Sequence, residues 1–209
     1  DLDMDVYVYD NGISNLKSMV SAIEYTGHNP LITNDCKLNS KTKHLILPGV
    51  GSFDSAMRIM QKNSADQRIK EFVLNGGHIL GVCLGMQLLF EEGFEGGRIP
   101  GLGVIKGSVQ HLPIPNKKNG DTLPNMGWHD INVIGESAII ESASNSIQCY
   151  FVHEYHCVPI DPEIVIMEIE YGNQSICAGV YTGEVHGVQF HPEKSGKIGL
   201  DMVRRFIQS

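Results

Sequence analysis

Gly81-Val82-Cys83-Leu84-Gly85 follows the apolar run His78-Ile79-Leu80 and precedes the helix-like run Met86-Gln87-Leu88-Leu89-Phe90. A strand that turns sharply into a helix, with small residues two positions either side of the turning residue, has the logic of a nucleophile elbow. Glycines at 81 and 85 let strand and helix approach closely around a strained turn. Cys83 then stands at the turn with its sulfur exposed, and the start of the helix beyond it favours the thiolate, the attacking form. The bland alternative is a small buried thiol at a tight strand–helix contact, since free cysteine is often buried.

Outward from this stretch, strands and helices alternate. Val6–Tyr9 reads as a strand ending at the turn Asp10-Asn11-Gly12. Ser14 is a suitable N-cap for a helix carrying Leu16, Met19, Val20 and Ile23 and ending at Gly27. Pro30–Thr33 is a short strand. His44–Leu47 is a continuous apolar one, as expected of a buried parallel strand. Helices follow from near Asp54 and over residues 65–75. The first half is therefore βαβ-wound around a parallel sheet.

The second half is richer in strands: Gly103–Val109, Asp130–Val133, Cys149–His153, Val165–Glu170, Ile176–Tyr181 and Val185–Gln189. Residues 111–127, rich in Pro, Asn and Lys, read as an exposed excursion, and a helix closes the chain from Ser195 to Ile207. No repeat or linker interrupts residues 1–209. The expected fold is a single α/β domain: an open, mostly parallel sheet flanked by helices, with an antiparallel strand extension.

Composition narrows the function. A net charge of −8 argues against binding nucleic acid or anionic membrane, which favour basic surfaces. No apolar run is long enough to span a bilayer. Asp1–Asp5 lacks a basic and an apolar signal region, and Met4 reads as a natural start. Cys36, Cys83, Cys149, Cys157 and Cys177 are widely spaced and form no C-x-x-C pair. That pattern predicts a reducing, cytoplasmic compartment rather than a disulfide framework. Nine histidines include no metal-binding pattern such as H-E-x-x-H, so no metal site is expected.

Cysteine catalysis needs a base beside the sulfur and an orienting group behind the base. Gln189-Phe190-His191-Pro192-Glu193 lies just after an apolar strand, at the sheet edge where open α/β folds place their sites. His191 and Glu193 project alike if the backbone is extended, which Pro192 favours for His191. The carboxylate then holds the imidazole while its other nitrogen faces the thiol. The bland alternative is a surface pair before a helix. Pro48-Gly49-Val50-Gly51 ends a neighbouring strand, and the N–H groups of Val50 and Leu84 are placed to converge on one oxygen.

The motifs 81–87, 47–53 (Leu-Pro-Gly-Val-Gly-Ser-Phe) and 187–195 (Gly-Val-Gln-Phe-His-Pro-Glu-Lys-Ser) resemble the three signatures of class I, or triad, glutamine amidotransferases. Within that class the chain is most similar to the glutaminase subunits of imidazole glycerol phosphate synthases. The pointers are Pro-Gly-Leu-Gly at 100–103, Met-Gly-Trp at 126–128 and Tyr-Phe-Val-His at 150–153. The resemblance implies a Cys83–His191–Glu193 triad, oxyanion donors at Val50 and Leu84, and glutamine contacts at Gly51, Gln87, Glu154 and Tyr155.

It further implies no cofactor and a (βα)8-barrel cyclase partner that receives the ammonia, with Met126, Trp128 and Lys194 at the interface. It implies a role in histidine biosynthesis, and a subunit alone that is slow if the Val50 N–H starts turned away. Three positions depart from the family pattern: Glu154 where Ser is common, His129 where Asn is common, and the looser Asp10–Asn15 loop. A paralogous glutaminase that feeds amidation of a surface sugar is the alternative.

Overall fold

A computed structural model describes residues 5–141 and 146–209; Met4 lies outside them. The first half runs β1 (Asp5–Tyr9), α1 (Lys17–Tyr25), β2 (Asn29–Thr33), β3 (His44–Leu47), α2 (Phe53–Lys62) and α3 (Ala65–Leu74). Then follow β4 (His78–Val82), α4 (Leu84–Leu88), β5 (Phe90–Gly93), β6 (Ile99–Pro100) and β7 (Ile105–His111). The remainder is β8 (Asn125–Val133), β9 (Ile147–His153), β10 (Tyr155–Pro159), β11 (Val165–Tyr171), β12 (Gln174–Thr182), β13 (Val185–Val188) and α5 (Gly196–Ile207).

Nine strands form one sheet in the order β2-β1-β3-β4-β13-β12-β11-β8-β9. The first five are parallel and the rest antiparallel, which is the expected parallel core with its antiparallel extension. All four residues of β3 and of β13 are buried, because helices or strands cover both faces of the sheet's centre. Side chains alternate between two cores, as the period of two in a strand requires. Val6, Val8, Ile46, Leu80 and Val82 meet Met19 and Ile23 of α1 and Val203 and Phe206 of α5. Tyr9, Leu45, Leu47 and Ile79 meet Phe53, Met57 and Met60 of α2 and Ile69 of α3.

The second core is closed by a smaller four-stranded sheet, β10-β7-β5-β6, which the sequence patterning did not separate. The strand expected at Gly103–Val109 is β7 of this sheet, shifted to Ile105–His111. The helix expected through Phe90 stops at Leu88. The carbonyls of Leu88, Leu89 and Phe90 accept hydrogen bonds from Leu102, Val104, Ile105 and Gly103, so non-local pairing replaces the next helical turn. A short apolar run carries no periodicity with which to foresee that. β8 begins at Asn125, inside the stretch expected to be an exposed excursion.

Ser14 does not cap α1, which starts at Lys17 with no side-chain cap. Asn11 Oδ1 accepts from the N–H groups of Ile13 and Ser14 and from the Ser14 hydroxyl. This Asx-type turn draws Ser14 away from the helix. α2 starts conventionally, with Ser52 Oγ accepting from the Ser55 N–H at 3.3 Å.

Candidate active site

Three parallel strands deliver the site. In the β3–β4–β13 ladder Leu47 pairs with Gly81 and Val82 with Val188. The chain leaves all three strands at the same carboxyl edge, so residues 48–51, 83–84 and 189–193 emerge side by side. Cys83 has φ 54° and ψ −111°, a conformation that L residues rarely adopt. Its strain is held by packing. A Cβ on Gly81 would lie 2.7 Å from the Met86 backbone, and one on Gly85 would lie 1.7 Å from the Leu47 carbonyl oxygen. No side chain fits at either position, and the turn over Cys83 cannot relax without parting β3, β4 and α4.

α4 has only five residues, so the helix start expected to favour a thiolate is a weak source of positive potential. The sulfur has other partners. Cys83 Sγ lies 3.7 Å from the Val152 carbonyl and 3.7 Å from Gln189 Nε2.

His191 is clamped on both sides of its backbone. Its N–H donates to the Tyr150 carbonyl at 3.0 Å. Its carbonyl accepts from Ser195 Oγ at 2.6 Å, and that hydroxyl accepts from the Tyr150 N–H at 3.0 Å. Ser195, expected only to open the last helix, is thus a buried strut of the site. His191 Nδ1 donates to Glu193 Oε1 at 2.7 Å. The expected His191–Glu193 pair forms, although the backbone is extended only at His191 and turns into a 3-10 segment over Pro192–Lys194.

His191 Nε2 is buried with no hydrogen-bond partner of its own. It is coupled through space to the Cys83 sulfur: burial disfavours the charged ring, but Cys83 and Glu193 outweigh that and raise its pKa to about 10. The favoured arrangement is an imidazolium facing the sulfur.

A cleft of about 300 Å³ opens over Cys83 and is lined by Gly49, Val50, Gly51, Leu84, Gln87, Glu95, Val152, His153, Glu154, Tyr155 and His191. Every residue expected in the site except Glu193 reaches this cleft, and Glu193 sits behind His191. Glu154 is half exposed, with Oε1 3.3 Å from His111 Nε2. Burial, then the carboxylates of Glu95 and Glu154, raise the Tyr155 phenol pKa. Glu95, which sequence reasoning missed, accepts from the Phe53 N–H at 3.0 Å. It lies within the glycine-bounded stretch 93–97, which carries no chemical motif.

The Leu84 N–H is the first of α4 and has no carbonyl to bind within the helix. The Val50 N–H is engaged elsewhere, donating to Ser14 Oγ at 3.3 Å.

This edge-mounted cysteine, with a carboxylate-held histidine behind it, sits in a chain whose residues 7–208 match the family model "Glutamine amidotransferase class-I". The chain belongs to the class-I glutamine amidotransferases. It is 38% identical over 199 residues to "Imidazole glycerol phosphate synthase subunit HisH" of Caldanaerobacter subterraneus subsp. tengcongensis, covering 95% of each chain. It is also 38% identical over 201 residues to the protein of the same name from Rhodopirellula baltica, covering 96% of each.

Among solved structures, "Structure of PurLQS from Thermotoga maritima" contains a chain that superposes with a TM-score of 0.76 at 19% identity, covering 98% of both. That likeness shows the shared fold. Among the described residues of this amidotransferase, no group of three or more His, Cys, Asp or Glu side chains is arranged to hold a metal ion. No helix there is long and apolar enough to cross a membrane.

Proposed function

We propose that this amidotransferase is the glutaminase subunit of an imidazole glycerol phosphate synthase. It hydrolyses glutamine and passes the ammonia to a (βα)8-barrel cyclase in histidine biosynthesis, in the cytoplasm, with residues 1–209 acting as one domain. The observation that carries the chemistry is the His191 ring, bound through Nδ1 to Glu193 at 2.7 Å with its buried Nε2 left for the sulfur. The near full-length similarity to proteins named as HisH supports the synthase assignment.

Cys83 Sγ attacks the side-chain amide carbon of glutamine. A C–S bond forms, and the carbonyl π pair moves onto oxygen, where the Leu84 N–H donates to it. When the intermediate collapses the C–N bond breaks, and His191 Nε2 gives its proton to the departing nitrogen, which leaves as ammonia. The now neutral ring takes a proton from water, whose oxygen attacks the thioester. The C–S bond breaks, Sγ leaves as thiolate, and glutamate departs. Glu193 keeps the ring in register throughout and stabilises it when it is charged. Gly51, Gln87, Glu154 and Tyr155 hold the substrate, and Glu95 and Glu154 set negative charge for its α-ammonium.

Met126 and Trp128 are each 54% exposed on β8, and Lys194 is exposed beside the triad. Large apolar side chains displayed in this way suit a docking face for the barrel. The test is steady-state glutamine hydrolysis with and without the barrel subunit. Slow turnover alone and strong activation by the barrel are expected, with Trp128→Ala weakening the activation. Indifference to the barrel, with capture of a sugar-modifying synthetase instead, would favour the surface-sugar reading.

A further inference from the structure

Behind the nucleophile lies a chain of buried side-chain amides that the triad does not include. Gln87 Nε2 donates to the Tyr155 carbonyl at 3.1 Å and to Gln189 Oε1 at 3.1 Å. Gln189, fully buried, presents its Nε2 to Cys83 Sγ at 3.7 Å. His153 Nδ1 also donates to the Tyr155 carbonyl, at 2.8 Å, which anchors the far end.

The direction of this chain is set by its last member. A backbone carbonyl only accepts, so the group of Gln87 that meets it is the NH₂. That NH₂ has one hydrogen left, so the atom of Gln189 facing it must be an oxygen. The other end of the Gln189 amide, facing the sulfur, is then an N–H donor. Flipping Gln189 would set two NH₂ groups against each other and an amide oxygen against the sulfur. The donor is thus built in by three successive contacts.

The sulfur therefore sits between a partner for each protonation state. As a thiol it donates to the Val152 carbonyl; as a thiolate it is repelled by that carbonyl and accepts from Gln189. A donor to an anion that is excluded from water is worth more than one to a neutral group.

We propose that Gln189 is a further catalytic residue, whose side-chain N–H holds the Cys83 sulfur as a thiolate aligned with His191, and that Gln87 fixes the orientation of that amide. The proposal rests on the reading of Cys83 as the nucleophile. It also ties the substrate cleft to the sulfur, because Gln87 lines the one and steers the donor to the other.

The test is alkylation of the full chain by iodoacetamide, read at the Cys83 peptide by mass spectrometry across pH, for wild type, Gln189→Leu and Gln87→Leu. Cys36, Cys149 and Cys177, whose pKa values burial raises to about 12, serve as slow internal references. Gln189→Leu is expected to slow Cys83 alkylation at neutral pH about tenfold to a hundredfold, the range for a hydrogen bond to a charged group. The half-rate pH should move up by about one to two units. kcat for glutamine should fall in step, with KM changed less.

Gln87→Leu should move the same profile the same way by less, and it carries the test if Gln189→Leu does not fold. A folded Gln189→Leu protein with the wild-type alkylation profile overturns the proposal, as does an unshifted Gln87→Leu profile where only that variant folds. Failure of the underlying site reading looks different: Cys83→Ala would then keep its glutaminase activity whatever Gln189 does.

Discussion

The Val50 backbone N–H donates to the hydroxyl of Ser14 at 3.3 Å. Ser14 Oγ gives its own proton to Asn11 Oδ1 at 3.0 Å, which leaves a lone pair to receive Val50. The N-terminal Asx turn therefore holds one of the two amides expected at the oxyanion. Leu84 alone is then left to stabilise charge on the substrate oxygen until Val50 is released. Ser14→Ala removes the acceptor and should raise the glutaminase rate of the isolated subunit. A neutral hydrogen bond contributes about 0.5–1.5 kcal/mol, so the gain is about twofold to tenfold. An unchanged or lower rate without the barrel partner would sink this idea.

The strained backbone of Cys83 makes a stability prediction with an inverted sign. At an ordinary helix or strand position Gly is less stable than Ala by about 0.5–1 kcal/mol. At φ 54° the order should reverse, because only the side-chain-bearing residue is strained there, at a cost of about 1–3 kcal/mol. Cys83→Gly should therefore unfold at higher denaturant than Cys83→Ala, while both lose about three orders of magnitude or more of glutaminase activity. Equal midpoints would mean that the elbow stores no strain.

Glu193→Gln leaves the ring in place but removes a charge that raises the His191 pKa toward 10. With the carboxylate present, the imidazolium that protonates the departing amide nitrogen persists through neutral pH and is lost as pH rises through about 10. Without it, the alkaline limb of kcat should move to lower pH, and kcat should fall about a hundredfold to ten-thousandfold, as for other triads that lose their orienting carboxylate. An alkaline limb at the wild-type pH would show that Glu193 does not set the ring's charge.

Acid should unfold this protein through buried histidines outside the triad. Burial lowers the pKa of His44, His153 and His186 from 6.5 to about 4. The unfolded chain then binds more protons than the folded one between these values. The stability contributed by the neutral rings is full above about pH 6.5 and is lost as pH falls towards 4. His186 stacks on Tyr181 with ring centroids 4.6 Å apart and meets Phe206 edge-on at 5.8 Å, and neither of its nitrogens has a partner. His186→Phe should stabilise the protein at neutral pH by about 1 kcal/mol and flatten the acid limb of thermal melts. A destabilised variant with an unchanged acid limb would contradict this.

Much of the site was legible in the chain because its chemistry is written locally. The elbow needs glycines at 81 and 85, and the cleft shows why: side chains there would strike the Met86 backbone and the Leu47 carbonyl. His191 and Glu193 are two residues apart, so their pairing needs only a local turn. The residues that were missed act across long separations, and Gln189 and Ser195, though inside the 187–195 motif, showed no role of their own there. Gln189 was read as the end of a strand, Ser195 as a helix start and Ser14 as a cap. Glu95 lies within a glycine-bounded loop. The smaller sheet was missed for the same reason, since β5 pairs with β7 and β7 with β10 through contacts that no local periodicity reports.

The sequence by itself determined which residues carry reactive groups, that strands precede them, and that the first half winds as a parallel sheet. Those properties follow from hydrophobic period, turn chemistry and glycine spacing, all local. Only the tertiary structure decided that β4 lies between β3 and β13, which makes neighbours of residues 50, 83 and 191. It alone decided that a buried amide faces the sulfur and that a serine holds the Val50 N–H. These are hydrogen bonds between side chains or amides brought together by packing, and their direction is set by which partner can only accept.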